Sequence, residues 1–242
     1  MSITRRQILQ MVGTGLIATQ VPIAGAAGIF SKSTLKPPRL KAGDTVGLIN
    51  PAGATFHPED VVIAEETLAA LDLKMKAGKH LLDRYGYLAG SDADRAADVN
   101  AMYADPDVDA IITLRGGWGC NRILDLIDYK SIAKHPKILM GYSDITSLLL
   151  ALNAKASLVT FHGPVGTSTW NEFSTDFVKR LLFNAETFTM ENPKNRGDNL
   201  TQTKDRILTI RGGQATGKLM GGNLSVLSAM IGSEYLPDFK GN

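Results

Sequence analysis

Short apolar runs alternate with amphipathic stretches between residues 45 and 184 of the chain. The runs have the length and composition of buried strands, and the stretches between them carry apolar residues at helical spacing. Strands are predicted over residues 45–50, 73–77, 109–114, 137–140 and 157–161. Helices are predicted over residues 58–71, 92–105, 121–127, 145–152 and 170–184. Strands that alternate with helices in this way predict an α/β fold with a parallel sheet.

The pattern weakens after Pro164. Residues 191–203 are polar and predict a linker, whereas residues 207–210 and 216–220 predict short strands and residues 224–231 a helix. The predicted organisation is an N-terminal Rossmann-like parallel-sheet domain over 36–168, a helix and linker over 169–205, and the start of a second α/β domain over 206–242. We expect this second domain to be incomplete, because its segment has too few residues to bury a core of its own.

The N-terminus has the layout of an export signal. Arg5 and Arg6 precede a mildly apolar run over residues 11–21, and a small-residue site follows at Ala24-Gly25-Ala26. This order predicts a cleaved twin-arginine signal peptide over residues 1–27 and a periplasmic or otherwise exported mature protein. The apolar run is too short for a stable membrane span. The alternatives are an amphipathic N-terminal helix and an uncleaved anchor.

Composition excludes several classes of function. A formal net charge of +2 gives no strong attraction to nucleic acid, so no nucleic-acid partner is expected. A single cysteine, Cys120, leaves no internal disulfide and no multi-cysteine metal site. The four histidines are scattered without zinc-ligand spacing, so we expect no metal. Cys120 begins a predicted helix, where it is either a reactive thiol or a buried bystander.

The segment Gly141-Tyr142-Ser143-Asp144 lies between two apolar runs and predicts a strand, a sharp turn and a helix. A serine in such a turn lies at a helix N-terminus, where backbone N–H groups and the helix dipole favour developing negative charge. This is the geometry of a nucleophile elbow without the usual G-x-S-x-G spelling. The alternative is that Ser143 only caps its helix.

Two other predicted strand ends carry unusual residues: Asn50-Pro51-Ala52-Gly53 and Arg115-Gly116-Gly117-Trp118-Gly119. Ligands of parallel sheets bind beyond the carboxyl ends of the strands, so these segments and the elbow should share one rim. The glycine-rich loop can present N–H groups to an oxyanion, or it can be a tight turn with Trp118 packed as a lid. His162 follows the strand predicted over residues 157–161, and it is either the base for Ser143 or a rim histidine that holds a loop.

With these segments in view, the chain resembles the LD-carboxypeptidases of serine peptidase family S66, the muramoyltetrapeptide carboxypeptidase and microcin-immunity group. The resemblance is carried by Arg115-Gly116-Gly117-Trp118-Gly119 and Gly141-Tyr142-Ser143-Asp144, and by further matches in the family's order. These further matches are residues 44–53, 109–112, 122–124, 145–146, 162–164, 217–219 and 221–224. Any one motif is weak, but the ordered set is specific.

The resemblance implies roles for the rim residues. Ser143 would be the catalytic nucleophile, and the backbone N–H groups of Asp144 and Gly117 would form the oxyanion hole. The residues expected to bind substrate are Arg115, Gly116, Trp118 and His162. No cofactor and no metal are required.

The resemblance also implies a Ser-Glu-His triad whose Glu and His lie beyond the Gly-Gly-Asn-Leu motif at residues 221–224. The sequence ends at Asn242 before that Glu would occur, and none of its histidines matches the family's. We therefore expect either a fragment or a truncated protein. The alternative to an enzyme is a catalytically dead protein that binds murein or peptide.

By resemblance, the substrate is a murein tetrapeptide, cut at the amide between the L-centre of the diamino acid and the terminal D-alanine. A relative could instead detoxify a peptide-nucleotide antibiotic, and the sequence leaves both open. Members of the family commonly form homodimers, so a second copy of the chain is a further expected partner.

Overall fold

Five parallel strands form the sheet of the computed structural model, which describes residues 34–194 and 196–239. The strands are β1 (Thr45–Ile49), β2 (Lys74–Ala77), β3 (Ala110–Thr113), β4 (Ile138–Gly141) and β5 (Phe161–His162). Their order across the sheet is β2-β1-β3-β4-β5. The register places Leu48 beside Ile112, and Ile112 beside Met140. The expected α/β fold with a parallel sheet is therefore confirmed.

Helices connect the strands, as the alternating pattern predicts. They are α1 (Glu59–Ala70), α2 (Asp92–Ala104), α3 (Tyr129–Lys134), α4 (Thr146–Ala156), α5 (Glu172–Val178) and α6 (Leu224–Met230). A π-helical turn, Lys179–Phe183, continues α5. The helix expected over residues 121–127 is a 3₁₀ helix at Cys120–Leu126, and the short α3 that follows it was not predicted.

Alternating side chains along the strands divide the core into two layers. Ile49, Ile111 and Leu139 belong to the layer that also contains buried residues of α2, α3, α4 and α6. Val46 and Ile112 belong to the opposite layer, with buried residues of α5 and the C-terminal part of α1. Both faces of the sheet are thus covered, as in doubly wound folds. In such folds ligands bind where the chain changes direction across the sheet, which here is between β1 and β3.

The segment after residue 205 differs from expectation. The strands expected over residues 207–210 and 216–220 are irregular, and Ile210 and Leu219 are 96% and 97% exposed. An isolated strand is not stable without a neighbouring strand to pair with, and within the described residues these segments have none. The predicted helix is present as α6, and its Met230 is buried in the first core layer. The predicted domain boundaries at residues 168 and 205 stay predictions.

The predicted signal peptide, residues 1–27, lies outside the described residues. None of the helices described between residues 34 and 239 combines the length and the apolar character that crossing a membrane requires.

Candidate active site

Ser143 occupies a sharp turn between β4 and α4. Tyr142 is extended, and Ser143 has a φ of +61°, in the left-handed region that residues other than glycine rarely adopt. A 3₁₀ turn, Ser143–Ile145, then leads into α4. The predicted strand, turn and helix are present. Neither helical segment has a side-chain cap, so the alternative in which Ser143 caps its helix is wrong.

The glycine-rich loop packs directly on this elbow. A methyl group at Gly116 would lie 2.9 Å from Ser143 Cβ and 3.3 Å from Ser143 Oγ. Gly117 has a φ of +133°, and a side chain there would meet Gly53 Cα at 2.8 Å. The N–H of Gly53 donates a hydrogen bond to the Gly116 carbonyl at 3.3 Å. The loops after β1, β3 and β4 are therefore in mutual contact, as the rim argument predicts.

A cavity of about 260 Å³ opens beside Ser143. The structure places four of the predicted site residues in its lining: Ser143, Arg115, Gly116 and Gly117. The other lining residues are Asp60, Tyr142, Val165 and Thr167, none of which the sequence singled out as a site residue. Within the described part of the chain, Ser143 Oγ makes no hydrogen bond, so its hydroxyl is free to meet a ligand.

Trp118 and His162 lie outside this lining. Trp118 is 53% exposed and meets Tyr87 edge to face, with ring centroids 5.8 Å apart, so it is not a packed lid. The His162 ring lies 6.4 Å from that of Tyr142, measured between centroids. Partial desolvation lowers the pKa of His162. Among the described residues no hydrogen bond links His162 to Ser143, so no observed contact supports His162 as the base for Ser143.

Asp144 turns its side chain away from the cavity, as the elbow predicts. Its buried carboxylate accepts a hydrogen bond from the Cys120 backbone N–H at 2.7 Å. Burial raises the pKa of Asp144. Burial, with the nearby Asp144 carboxylate, also raises the pKa of the Cys120 thiol to about 12. Cys120 is therefore a buried bystander, and the reactive-thiol alternative is wrong.

A buried arginine that the sequence analysis overlooked connects two of the rim loops. Arg95 is 1% exposed, and its Nη1 donates hydrogen bonds to the carbonyls of Pro51 at 2.6 Å and Gly119 at 2.9 Å. Its Nη2 pairs with Asp92, which also pairs with Arg122. One signal in the sequence could have found it, because Arg95 lies next to the apolar positions of α2. An arginine charge that is buried there requires several hydrogen-bond partners.

Two opposite charges face the cavity. Arg115 donates from Nη1 to the Ala54 carbonyl at 2.9 Å, and Asp60 accepts from the Thr55 hydroxyl at 2.5 Å. Neither forms an ion pair with any described residue. Asp60 was missed because an acidic residue in the first turn of a helix is ordinarily explained by the helix dipole.

One group of metal-ligand types occurs among the described residues, and none of its members lines the cavity. Ligand atoms of His80, Asp83 and Asp94 lie within 4.8 Å of one another. His80 Nδ1 is 2.7 Å from Asp83, and its Nε2 is 3.8 Å from Asp94. Each ring nitrogen faces a different carboxylate, and only Nδ1 is within hydrogen-bond distance of its partner.

The site has several features that acyl transfer requires. It presents a hydroxyl on a strained turn, glycine backbone that approaches that hydroxyl closely, and a guanidinium in the same cavity. The elbow also begins the 3₁₀ turn that leads into α4, and backbone N–H groups at a helix start stabilise negative charge.

Comparison with known proteins agrees with this chemistry. The chain is 38% identical over 219 residues to "Probable murein peptide carboxypeptidase" of Bacillus subtilis, and the match covers 88% of this chain and 65% of that protein. It is 37% identical over 126 residues to the murein tetrapeptide carboxypeptidase of Pseudomonas aeruginosa, covering 50% of this chain and 39% of that one. The chain thus spans less than two thirds of the length of the first of these relatives.

Solved structures share the fold. An MccF-like protein from Bacillus anthracis superposes with a TM-score of 0.73 at 28% identity, over 85% of this chain and 67% of that one. Residues 46–163 match the family described as the LD-carboxypeptidase N-terminal domain, Peptidase S66. That range contains all of β1 except Thr45, together with β3, β4 and the whole elbow. Residues 46–163 of the chain therefore form the N-terminal domain that defines the S66 peptidase family.

Proposed function

We propose that Ser143 is the nucleophile of a serine-type LD-carboxypeptidase that acts, as a full-length protein, on murein peptides. The observation that carries this proposal is the strained turn that presents the Ser143 hydroxyl, without a hydrogen-bond partner in the described chain, to a cavity. Strained backbone persists where the surrounding structure enforces it, and it concentrates at functional sites. The names of the relatives support a murein peptide as the substrate.

In the proposed reaction, Ser143 Oγ attacks the carbonyl carbon of the amide between an L-centre and a terminal D-alanine. The proton of the Ser143 hydroxyl passes to the departing nitrogen as the C–N bond breaks and D-alanine leaves. Water then hydrolyses the acyl-enzyme ester to a free carboxylic acid and the Ser143 hydroxyl. The N–H groups of Gly117 and Asp144 hold the oxyanion. The position of Gly117 in the cavity lining and of Asp144 at the start of the helical turn supports this assignment.

Arg115 is proposed to bind the carboxylate of the departing D-alanine. A carboxypeptidase must recognise a free C-terminal carboxylate, and a guanidinium forms strong charge-assisted hydrogen bonds to that group. Arg115 lines the same cavity as Ser143, and its Nη1 is held by the Ala54 carbonyl. Gly116 supports the same wall of the cavity, and Trp118 and His162 would contact more distant parts of a longer substrate.

The competing proposal is a protein that binds the peptide without cleaving it. A serine hydroxyl alone is a weak nucleophile at neutral pH and needs a base to accept its proton. The two proposals agree on the binding of murein peptide and differ only in the release of D-alanine.

The test is release of D-alanine from L-Ala-D-γ-Glu-meso-diaminopimelate-D-Ala, followed by mass spectrometry. We expect the full-length protein to release D-alanine and Ser143→Ala in that protein to lower the rate by about a thousandfold or more. Ser233→Ala, an exposed serine far along the chain, is the control and should leave the rate unchanged. Equal rates for Ser143→Ala and the unaltered chain contradict the nucleophile assignment. Tight binding of the peptide without release favours the binding protein.

A further inference from the structure

The cavity beside Ser143 holds one cationic and one anionic side chain that do not neutralise each other. Both Arg115 and Asp60 line it, and no ion pair joins either to a described residue. Each uses only part of its hydrogen-bonding capacity. Arg115 retains guanidinium N–H groups beyond the one bound to Ala54, and Asp60 retains a carboxylate oxygen beyond the one bound to Thr55.

The two charges are held apart by one short backbone segment. The partner of Arg115 is the carbonyl of Ala54, and the partner of Asp60 is the hydroxyl of the next residue, Thr55. Ala54 and Thr55 are both buried, at 1% and 8% exposure. The spacing of the cation and the anion is therefore set before any ligand arrives, and such preorganisation lowers the entropic cost of binding.

We propose that Asp60 is a specificity-determining residue that binds an ammonium group on the substrate. A cavity with a separated cation and anion is complementary to a ligand with a carboxylate and an ammonium group. This inference rests on the proposed function, in which Arg115 receives the carboxylate of the departing D-residue. The ammonium then belongs to the residue on the acyl side of the scissile amide, which selects peptides whose L-residue has an amino-bearing side chain.

The experiment measures binding to the full 242-residue chain by calorimetry, with Ser143→Ala present throughout so that no peptide is consumed. Three peptides are compared: L-Ala-D-γ-Glu-L-Lys-D-Ala, the same peptide with Nε-acetyl-lysine, and the lysine peptide with a C-terminal amide. Acetylation removes only the ammonium charge, and amidation removes only the carboxylate charge. We expect each change to weaken binding about tenfold, as for a partly buried charge pair.

Asp60→Asn should bring the ratio of the lysine and acetyl-lysine affinities close to one. The Asp60→Asn variant should still lose affinity when the peptide is amidated at its C-terminus, which shows that the cavity is still folded. Glu59→Gln is the matched control, because this neighbouring acid is exposed and does not line the cavity. It should keep both ratios.

Persistence of the lysine preference in Asp60→Asn overturns the Asp60 assignment. The assignment is also overturned if the chain with Asp60 in place binds the lysine and acetyl-lysine peptides equally while it still prefers the free C-terminal carboxylate. That result leaves the proposed function standing. Failure to bind any of the three peptides overturns both proposals.

Discussion

At the scale of single residues, the site depends on close approach between the elbow and the glycine-rich loop. Ser143 adopts a left-handed backbone conformation with a side chain present, and Gly116 leaves it the space to do so. The strain at Ser143 costs of the order of 1 kcal/mol or more, which the packing around the turn must offset. Small changes in this contact should therefore affect both stability and the position of the hydroxyl.

Gly116→Ala tests this contact. The added methyl group would meet Ser143 Cβ at 2.9 Å and the Tyr142 backbone carbonyl at 3.3 Å, and neither atom is the end of a flexible chain. We expect the free energy of unfolding to fall by about 1–3 kcal/mol, measured by urea denaturation. Gly212→Ala is the control, because nothing lies within 4 Å of its added methyl group. A loss no larger at Gly116 than at Gly212 would contradict the packing argument.

Cys120 should be chemically silent in the native chain. Its pKa of about 12 leaves roughly one thiolate in ten thousand at pH 8, and the side chain is fully buried. We expect no reaction with an aromatic disulfide reagent at pH 8, and one equivalent of thiol after unfolding in guanidinium chloride, since the chain has one cysteine. Fast labelling of the native chain would show that the thiol is accessible.

At the scale of elements, α2 joins the loops that follow β1 and β3. Arg95 does this through two backbone carbonyls, while Asp92 on the same helix shares its carboxylate between Arg95 and Arg122. The pKa of Asp92 is lowered, chiefly by its hydrogen bond from Arg122. The two arginines differ in burial, because the Arg95 side chain is 0% exposed and that of Arg122 is 47% exposed.

Replacing each arginine by methionine separates the contributions of Arg95 and Arg122 to the free energy of unfolding. Arg95→Met leaves the Pro51 and Gly119 carbonyls without their buried donor, so we expect a loss of about 3 kcal/mol or more in the free energy of unfolding. Arg122→Met removes an exposed partner of the same carboxylate and should cost about 1 kcal/mol or less. Urea denaturation of both variants is the measurement, and equal losses would refute the structural role of Arg95.

At the scale of the whole molecule, the sheet order brings the site together. β1 and β3 are neighbours although β2 intervenes in the chain, so the loops after them meet at the switch point. β4 adds the elbow on the far side of β3, and the segment after β5 contributes Val165 and Thr167 to the cavity. The residues that line the cavity thus come from four separate stretches of chain.

Export is the prediction that concerns the chain as a whole. The paired Arg5 and Arg6 before a weakly apolar run predict twin-arginine delivery with cleavage near Ala26. The double substitution Arg5→Lys with Arg6→Lys preserves charge and should abolish delivery to the periplasm, as judged by cell fractionation and the mass of the processed chain. Arg39→Lys, beyond the predicted cleavage site, is the control. Normal processing of the double variant would argue against this route.

Much of the site could be predicted from local pattern. The elbow follows from an apolar run, a small residue and a second apolar run, which encode a strand, a turn and a helix within about a dozen residues. The glycine-rich loop can likewise be recognised from a few adjacent residues, 115–119. The placement of Ser143, Gly116 and Gly117 around one cavity then follows from the rule that parallel strands present their carboxyl ends at one edge.

Other features could not be predicted because they depend on contacts between distant residues. The sequence by itself determined the strands β1 to β4 and the turn that carries the serine, because hydrophobic periodicity and turn chemistry act over a few neighbours. Only the tertiary structure decided that Asp60 joins the cavity, that Arg95 ties two loops together, and that residues 207–210 lack a neighbouring strand. Burial, ion pairing and strand partnership are properties of packed surfaces, and a local pattern does not contain them.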